Sequence, residues 1–425
     1  MPSQSEIIEA LQFDYFHAAN PINGTGDPAF TITYQFETDA PADDWSGLSG
    51  WASWTNPEKD AVRAALAHIE SFLNIDFVEI EGQVDADLSL GLTTMGAGTA
   101  GLGGASLATY SDGSLYDYDA FAAFNKTLDL TDNLNLILHE LGHALGLDHP
   151  FEGVALAAAY DTNHYTVMSY TPDPESGENN DAMMLFDVYA LQDIWGAADY
   201  NTGDDTYTGS RTDNVDTVWD TGGTDTFDAS ARTNAVRLDL RDGAFSTFGS
   251  FEDVAIAYGV TIENAVGGAG DDTLIGNEQA NDLSGNGGSD VLKGNTGKDT
   301  LDGGGGKDRL KGGSGTDTLA GGGGKDKLYG GGGTDTLEGG SGTDRLWGDG
   351  GEDTFRFLTG ADKDVVRDFE SGLDSLEIIG LGTLAEVLAA ATEVNGHVFF
   401  DFGNGDILVV KNMTLDALES DVSVI

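Results

Sequence analysis

Cysteine is absent from all 425 residues, which excludes disulfides and thiolate metal sites. An absence of disulfides is usual in the cytosol, but it does not exclude export from a bacterium. Basic residues are almost as scarce, with 19 Lys and Arg against 73 Asp and Glu, a formal net charge of −54. Residues 1–200 hold 32 acids and only Lys59, Arg63 and Lys126, net −29; residues 201–425 hold 41 acids and 16 bases, net −25. The excess therefore belongs to both halves. It excludes nucleic acid and anionic membrane surfaces as partners, and it predicts a monomer whose self-repulsion is screened by a saline, marine setting. No run approaches the roughly 18 apolar residues of a membrane span, so membrane insertion is not expected. The segment Met1 to Phe16 carries three acids, no Lys or Arg and no long apolar core, unlike a secretory signal peptide.

Histidine is also sparse, yet three of the seven fall in one stretch, His139-Glu-Leu-Gly-His-Ala-Leu-Gly-Leu-Asp-His149. His139 and His143 are four apart, so a helix projects them from one face, one turn apart. That spacing suits two imidazoles on one tetrahedral zinc. Glu140 stands beside the first of them, where it can take a proton from a water held by the metal. His149 cannot reach the same metal from the same straight helix. Gly146 resolves this, because glycine tolerates the left-handed conformation that ends a helix and turns the chain back.

This extended stretch resembles the metzincin zinc endopeptidases. The resemblance implies one zinc held by His139, His143 and His149, and a tight turn with a methionine beneath it. Tyr165-Thr-Val-Met168-Ser-Tyr170 matches that turn, with Met168 as the structural methionine. A tyrosine two residues after the methionine is typical of serralysins and astacins. It makes Tyr170 the expected extra zinc ligand, able to swing away and hydrogen-bond the tetrahedral intermediate. With no cysteine, a cysteine-based zymogen latch is impossible.

Glycine is the opposite of scarce, at 61 residues, and much of it is periodic. Ten nine-residue units run from Gly267 to Arg356 on the pattern Gly-Gly-x-Gly-x-Asp-x-Leu-x. The sixth position holds Asp272, Asp290, Asp299, Asp308, Asp317, Asp326, Asp335, Asp344 and Asp353; the second unit alone departs, with Asn281 there. The glycine half makes a turn with exposed carbonyls, and the x-Leu-x half a short strand with one inward apolar residue. Hard carboxylate and carbonyl oxygens suit calcium. The repeat resembles the calcium-binding parallel β-roll of RTX proteins. Turns on alternate edges place an ion between units n and n+2, giving up to about eight gaps, or about seven once Asn281 removes one. Without metal the aspartates repel, so calcium-dependent folding is expected.

Elsewhere, Ala61 to Leu73 reads as an amphipathic helix after a Pro57-Glu58 start. Phe30 to Phe36 and Ala86 to Leu92 alternate as strands. Gly101 to Ala108 is expected as the edge strand lining a cleft, its Gly103, Gly104 and Ala105 letting a peptide backbone pair alongside. Leu185 to Trp195 reads as a closing helix similar to a serralysin segment. Asp364 to Ile379 and Val398 to Val410 read as capping strands. The tail Asp421 to Ile425, an acid followed by apolar residues, resembles the one that type I secretion machinery reads, although serralysins usually carry the acid closer to the end.

The expected fold is α+β: a metzincin-like catalytic domain (1–198), a β-rich linker (199–266), an RTX parallel β-roll (267–356) and a C-terminal β cap with the secretion signal (357–425). The expected function is a secreted, calcium-stabilised, serralysin-like zinc endopeptidase acting on proteins and peptides, exported from a Gram-negative bacterium by type I machinery. Two features depart from the serralysin pattern: His139 comes early, and the nonads are more numerous and regular. The alternative is a non-catalytic RTX binding or adhesion protein with an idle metzincin-like half, against which the intact Glu140 and Tyr170 argue. An RTX lipase fails for want of a Gly-x-Ser-x-Gly elbow.

Overall fold

Thr55, Pro57 and Glu58 begin a helix earlier than hydrophobic periodicity alone suggests. In the computed structural model it spans Asn56–Glu70, with the Thr55 side chain capping the Glu58 amide and the Glu58 carboxylate returning to the Thr55 amide. This reciprocal cap satisfies two otherwise orphaned N–H groups. The helix ends at Glu70, short of the expected Leu73, whose backbone instead bridges to Ala197. The structure describes residues 1–17, 21–39, 48–82, 86–110, 115–177, 179–210, 215–249 and 251–425. Their architecture is mostly β with few helices.

The described chain divides into two units. The first comprises Met1–Thr202, Ser210–Thr221 and Asp253–Val260. Its main sheet orders the strands Ile75–Glu79, Phe30–Glu37, Leu88–Thr94, Leu115–Asn125 and Gly101–Thr109. All these neighbours are parallel except the last pair, which is antiparallel. Leu88–Thr94 is the expected alternating strand shifted by two residues, and Leu88 through Thr93 are all buried. It is a central strand covered on both faces, so alternation in the sequence did not mean a wet face. Gly101–Thr109 ends the sheet. The helix Leu134–Ala144 packs on it, and Leu185–Trp195 closes the unit, burying Trp195 completely.

The second unit comprises Gly203–Gly209, Gly222–Glu252 and Thr261–Ile425. It is a parallel roll of two ten-stranded sheets with a short glycine sheet along one edge. Within the nonads each strand pairs with the one eighteen residues on, as in Leu292↔Leu310↔Leu328↔Leu346 and Leu283↔Leu301↔Leu319↔Leu337↔Phe355. Two consecutive nonads thus make one coil. The leucines of the two sheets are buried to within 2% of complete.

Glycine is obligatory in the turns. Gly306, Gly324 and Gly342 each have φ between +140° and +149°, with a carbonyl of the preceding coil where a Cβ would stand. Beyond the nonads the sheets continue with Lys363–Val366 and Ser375–Ile379. They are completed by Asp406–Val410, the hairpin of Ala391–Val394 with His397–Gly403, and the terminal strand Val422–Val424. The tail expected to be read by an exporter is, in the folded chain, a strand of the roll.

Candidate functional site

The helix Leu134–Ala144 carries His139 and His143 on one face, and both are buried. The Nδ1 of His139 donates to the Val167 carbonyl at 2.8 Å, and that of His143 to the Leu147 carbonyl at 2.8 Å. A carbonyl only accepts, so each ring must be protonated on Nδ1 and present a lone pair on Nε2. Gly146 then turns the chain with φ +112°; a Cβ there would meet the Phe16 ring at 2.8 Å. His149 returns with its Nε2 3.1 Å from that of His143 and 3.3 Å from that of His139. Ligand nitrogens about 2.0–2.1 Å from a tetrahedral zinc lie about 3.3 Å apart. The three nitrogens therefore fit one such ion.

Electrostatics agree with a ligand role. Burial pulls His139 down to about 4 and His143 down to about 3, aided in His143 by the neighbouring imidazoles, so both are neutral at pH 7. Neutral imidazole is the form that binds metal. The Nδ1 of His149 lies 3.4 Å from the Glu152 carboxylate, and Phe151 stacks on its ring at 4.9 Å. The Tyr170 hydroxyl reaches the His149 Nε2 at 2.8 Å, and its ring stacks on His139. Tyr170 is nevertheless 68% exposed, so it can leave this position without disturbing the core.

Glu140 is buried beside the histidines, and burial pushes its carboxyl up to about 8. Gly101 and Gly103 of the edge strand press on it. A Cβ on Gly101 would stand 2.6 Å from the Glu140 Cδ, and one on Gly103 2.9 Å from the His143 Cβ. Their smallness serves close packing of strand on helix. Gly104, between Gly103 and Ala105 in the run expected to admit a peptide, faces the other way, where a Cβ would meet Phe121 at an ordinary 3.4 Å, because side chains alternate across a strand.

Met168 is fully buried, and its Sδ lies 2.7 Å from where a Cβ on Gly142 would be. The turn around it is pinned by a residue that motif reading passed over. Asp187, in the first turn of Leu185–Trp195, accepts from the Thr166 hydroxyl at 2.5 Å, the Val167 amide at 2.8 Å and the Met184 amide at 2.9 Å. Burial raises this carboxyl to about 6 against the pull of those donors. Through Val167, Asp187 sets the carbonyl that orients His139. Its signal was the Phe-Asp-Val run, read only as helix. The remaining histidines serve structure: His164 bonds the buried Asp173 at 2.7 Å, His68 accepts from the Met183 amide, His397 from the Asn412 amide, and His17 ends a short helix.

A second constellation lies in the roll. Each nonad aspartate from Asp290 to Asp353 turns its Oδ1 to the amide of the equivalent residue one coil earlier, as in Asp308 to Asp290 at 2.8 Å. The Oδ2 atoms of Asp290, Asp299, Asp308, Asp317, Asp326, Asp335 and Asp344 are buried without any partner. Such orphans are costly and call for a ligand. The first glycine of each unit lets a carboxylate and a carbonyl approach: a Cβ on Gly303 would lie 2.7 Å from both the Asp308 Oδ2 and the Gly321 carbonyl. Carboxylate and carbonyl oxygens brought together are the hard donors that calcium takes.

Asn281 is different, since its amide donates to the Glu263 carbonyl and the Asn277 side chain, and its oxygen accepts from the Asn277 amide. At the ends, Asp272 directs its Oδ2 to the Gly268 amide, and Asp353 accepts from the Asp335 amide. The ladder also extends past the ten repeats, because Asp364 and Asp374 accept from the Asp344 and Asp353 amides at spacings of 20 and 21 residues. A nine-residue period could not find them.

Comparison with known proteins agrees with this picture. The family model "Peptidase M10 serralysin C terminal" matches residues 188–410. Serralysin of Photorhabdus laumondii is 34% identical over 317 residues, 66% of this chain and 65% of that protein. Metallopeptidase AprA of Pseudomonas marginalis is 33% identical, covering 60% and 62%. Serralysin of Proteus mirabilis is 34% identical, covering 61% of each. The alignments thus span less than two thirds of these relatives. Among solved structures, the extracellular lipase LipA from Serratia marcescens aligns over 39% of this chain and 40% of its own at 18% identity and a TM-score of 0.20, too low to bear on fold. With the family model matching half of its length, the chain belongs to the serralysin family of M10 peptidases.

Proposed function

We propose that the chain is a secreted zinc endopeptidase, its first unit a metzincin-like catalytic domain and its second a calcium-stabilised RTX roll. The observation that carries this reading is the convergence of the His143 and His139 Nε2 atoms on that of His149, at 3.1 and 3.3 Å, beside a buried carboxyl. Zinc bound there would polarise the scissile carbonyl and acidify a water. Glu140 takes the water's proton and returns it to the leaving amine. Its raised affinity for protons, tempered by a nearby cation, suits a group that must both accept and donate. Tyr170, exposed and lightly held, serves as a further ligand at rest and donates its hydroxyl to the oxyanion as the carbonyl becomes tetrahedral. Protein and peptide chains are the substrates.

The seven orphaned Oδ2 atoms support about seven calcium ions. The layout of 1–198, 199–266, 267–356 and 357–425 follows from the motifs. Among the described residues no helix is long and apolar enough to cross a membrane. Export by type I machinery would use the unfolded tail at 421–425 before calcium closes it into the roll. A casein-hydrolysis assay tests the function. Activity should vanish on treatment with 1,10-phenanthroline and return with stoichiometric zinc, whereas unchanged hydrolysis by zinc-free protein would refute it.

A further inference from the structure

Opposite charges occupy the two outer faces of the roll. On the sheet containing Thr300–Asp302, Thr318–Ala320, Thr336–Glu338 and Thr354–Leu358, the outward columns are a threonine row and a row including Asp302, Glu338 and Glu377. Arg356 is paired there with Glu338 and Glu377. The other sheet, on Val291–Gly297, Arg309–Gly315, Lys327–Gly333 and Arg345–Gly350, sets Arg309, Lys327 and Arg345 in one outward row and Lys293, Lys311, Tyr329 and Trp347 in the next. Arg367 follows at the end of the second row. The cations of these rows are exposed, and among the described residues none makes an ion pair or a side-chain hydrogen bond. In a chain with 73 acids and 19 bases, an unpaired cationic field with no acid in its rows between Lys293 and Arg367 is a departure from the composition around it; Asp239, two strands before Lys293 in the second row, is held by Arg237 and Arg241.

The field is also ordered. Tyr329 and Trp347 stack face to face at 4.6 Å and 9°. Arg309 covers the free face of this pair on the Tyr329 side at 4.8 Å, and Arg367 covers Trp347 at 5.6 Å. Guanidinium stacked on a ring keeps its N–H edge available while losing rotational freedom, so both arginines are prepared for two-point binding of carboxylate.

We propose that this face docks a linear carboxylated polysaccharide, a uronic-acid polymer laid across the strands. Strands lie about 4.8 Å apart, close to the rise of one sugar ring, so a polymer with one carboxylate per sugar, laid along the Arg309, Lys327 and Arg345 row, meets one cation per strand. Duplex nucleic acid, with a charge about every 1.7 Å, overfills that spacing. Single-stranded nucleic acid needs open aromatic faces for its bases, and both faces of Tyr329 and Trp347 are taken. The chain's net charge of −54 repels polyanions only within about 8 Å at physiological salt, so the patch acts locally.

The test uses the full, calcium-loaded chain and short oligogalacturonate, with neutral dextran and oligo-thymidylate as comparators. Calorimetry should show binding to oligogalacturonate, weaker binding to the oligonucleotide and none to dextran. A face variant with Arg309→Gln, Lys311→Gln and Arg345→Gln should weaken it about tenfold or more and lower its salt dependence. A turn variant with Lys298→Gln, Lys307→Gln and Lys325→Gln removes the same charge off the face and should change affinity by less than about twofold. Calcium-induced circular dichroism checks the fold of each. Should the triple face variant not fold, Lys311→Gln and Arg345→Gln are measured singly, each expected to weaken binding about threefold. No binding by the wild type, equal losses in face and turn variants, preference for oligo-thymidylate, or self-association of the chain through this face would each overturn the proposal.

Discussion

At the scale of single residues, Tyr170 has its catalytic weight in the transition state, and its place as a further ligand at rest is dispensable for holding the metal, because three imidazoles converge without it and the side chain is 68% exposed. Tyr170→Phe should therefore retain zinc by elemental analysis while lowering kcat about 10²–10³-fold, with little change in KM. Unchanged kcat would reduce the residue to packing. His139, Glu140, His143 and His149 were legible in the sequence because their spacing is set by one helical turn and one glycine, both local. Asp187 and Gly101 were not legible in the same way. Each acts on a site residue far away in the chain, Asp187 through the Val167 amide and Gly101 by its approach to Glu140. Only the fold reveals which distant carboxyl or glycine meets the site.

At the scale of elements, the proposed calcium role couples protons to metal in the roll. Its buried aspartates titrate high in the metal-free form, with Asp299, Asp308 and Asp335 pushed up to about 6, and Asp290, Asp326 and Asp353 to about 7, chiefly by burial. An unfolded aspartate titrates near 3.9. A folded value above the unfolded one gives stability that is complete below about pH 4 and lost as pH rises through about 6–7. In chelator, amide-exchange protection over residues 283–355 should thus be highest near pH 4 and fall towards pH 7. Millimolar calcium, replacing protons on the orphaned Oδ2 atoms, should restore it at neutral pH. Protection in chelator that is flat or rises with pH would contradict the site assignment. The roll's period and leucine column were readable from the chain because neighbouring nonads fold alike. Asp364 and Asp374 were hidden by spacings that lengthen where the cap begins, and the helix at Asn56–Glu70 was read late because its cap, not its apolar face, sets its start.

At the scale of the whole molecule, the proposed function divides the work between the two units: the first gathers nitrogens and a carboxyl for chemistry, the second gathers oxygens for cations. The acid excess is spread over both, with 32 acids in residues 1–200, so metal binding in the roll does not remove it and a salt-screened environment still suits the chain. Composition carried that expectation, but gave no sign of the basic face on one sheet, which depends on registering residues eighteen apart. The central claim remains that Glu140 works as the base of a zinc peptidase. The most direct test is the Glu140→Gln variant, assayed for zinc content and casein hydrolysis side by side with the wild type. The amide cannot accept the water's proton, so zinc should stay near one per chain while turnover falls at least about 10²-fold; near-wild-type turnover in the zinc-loaded variant would contradict the account.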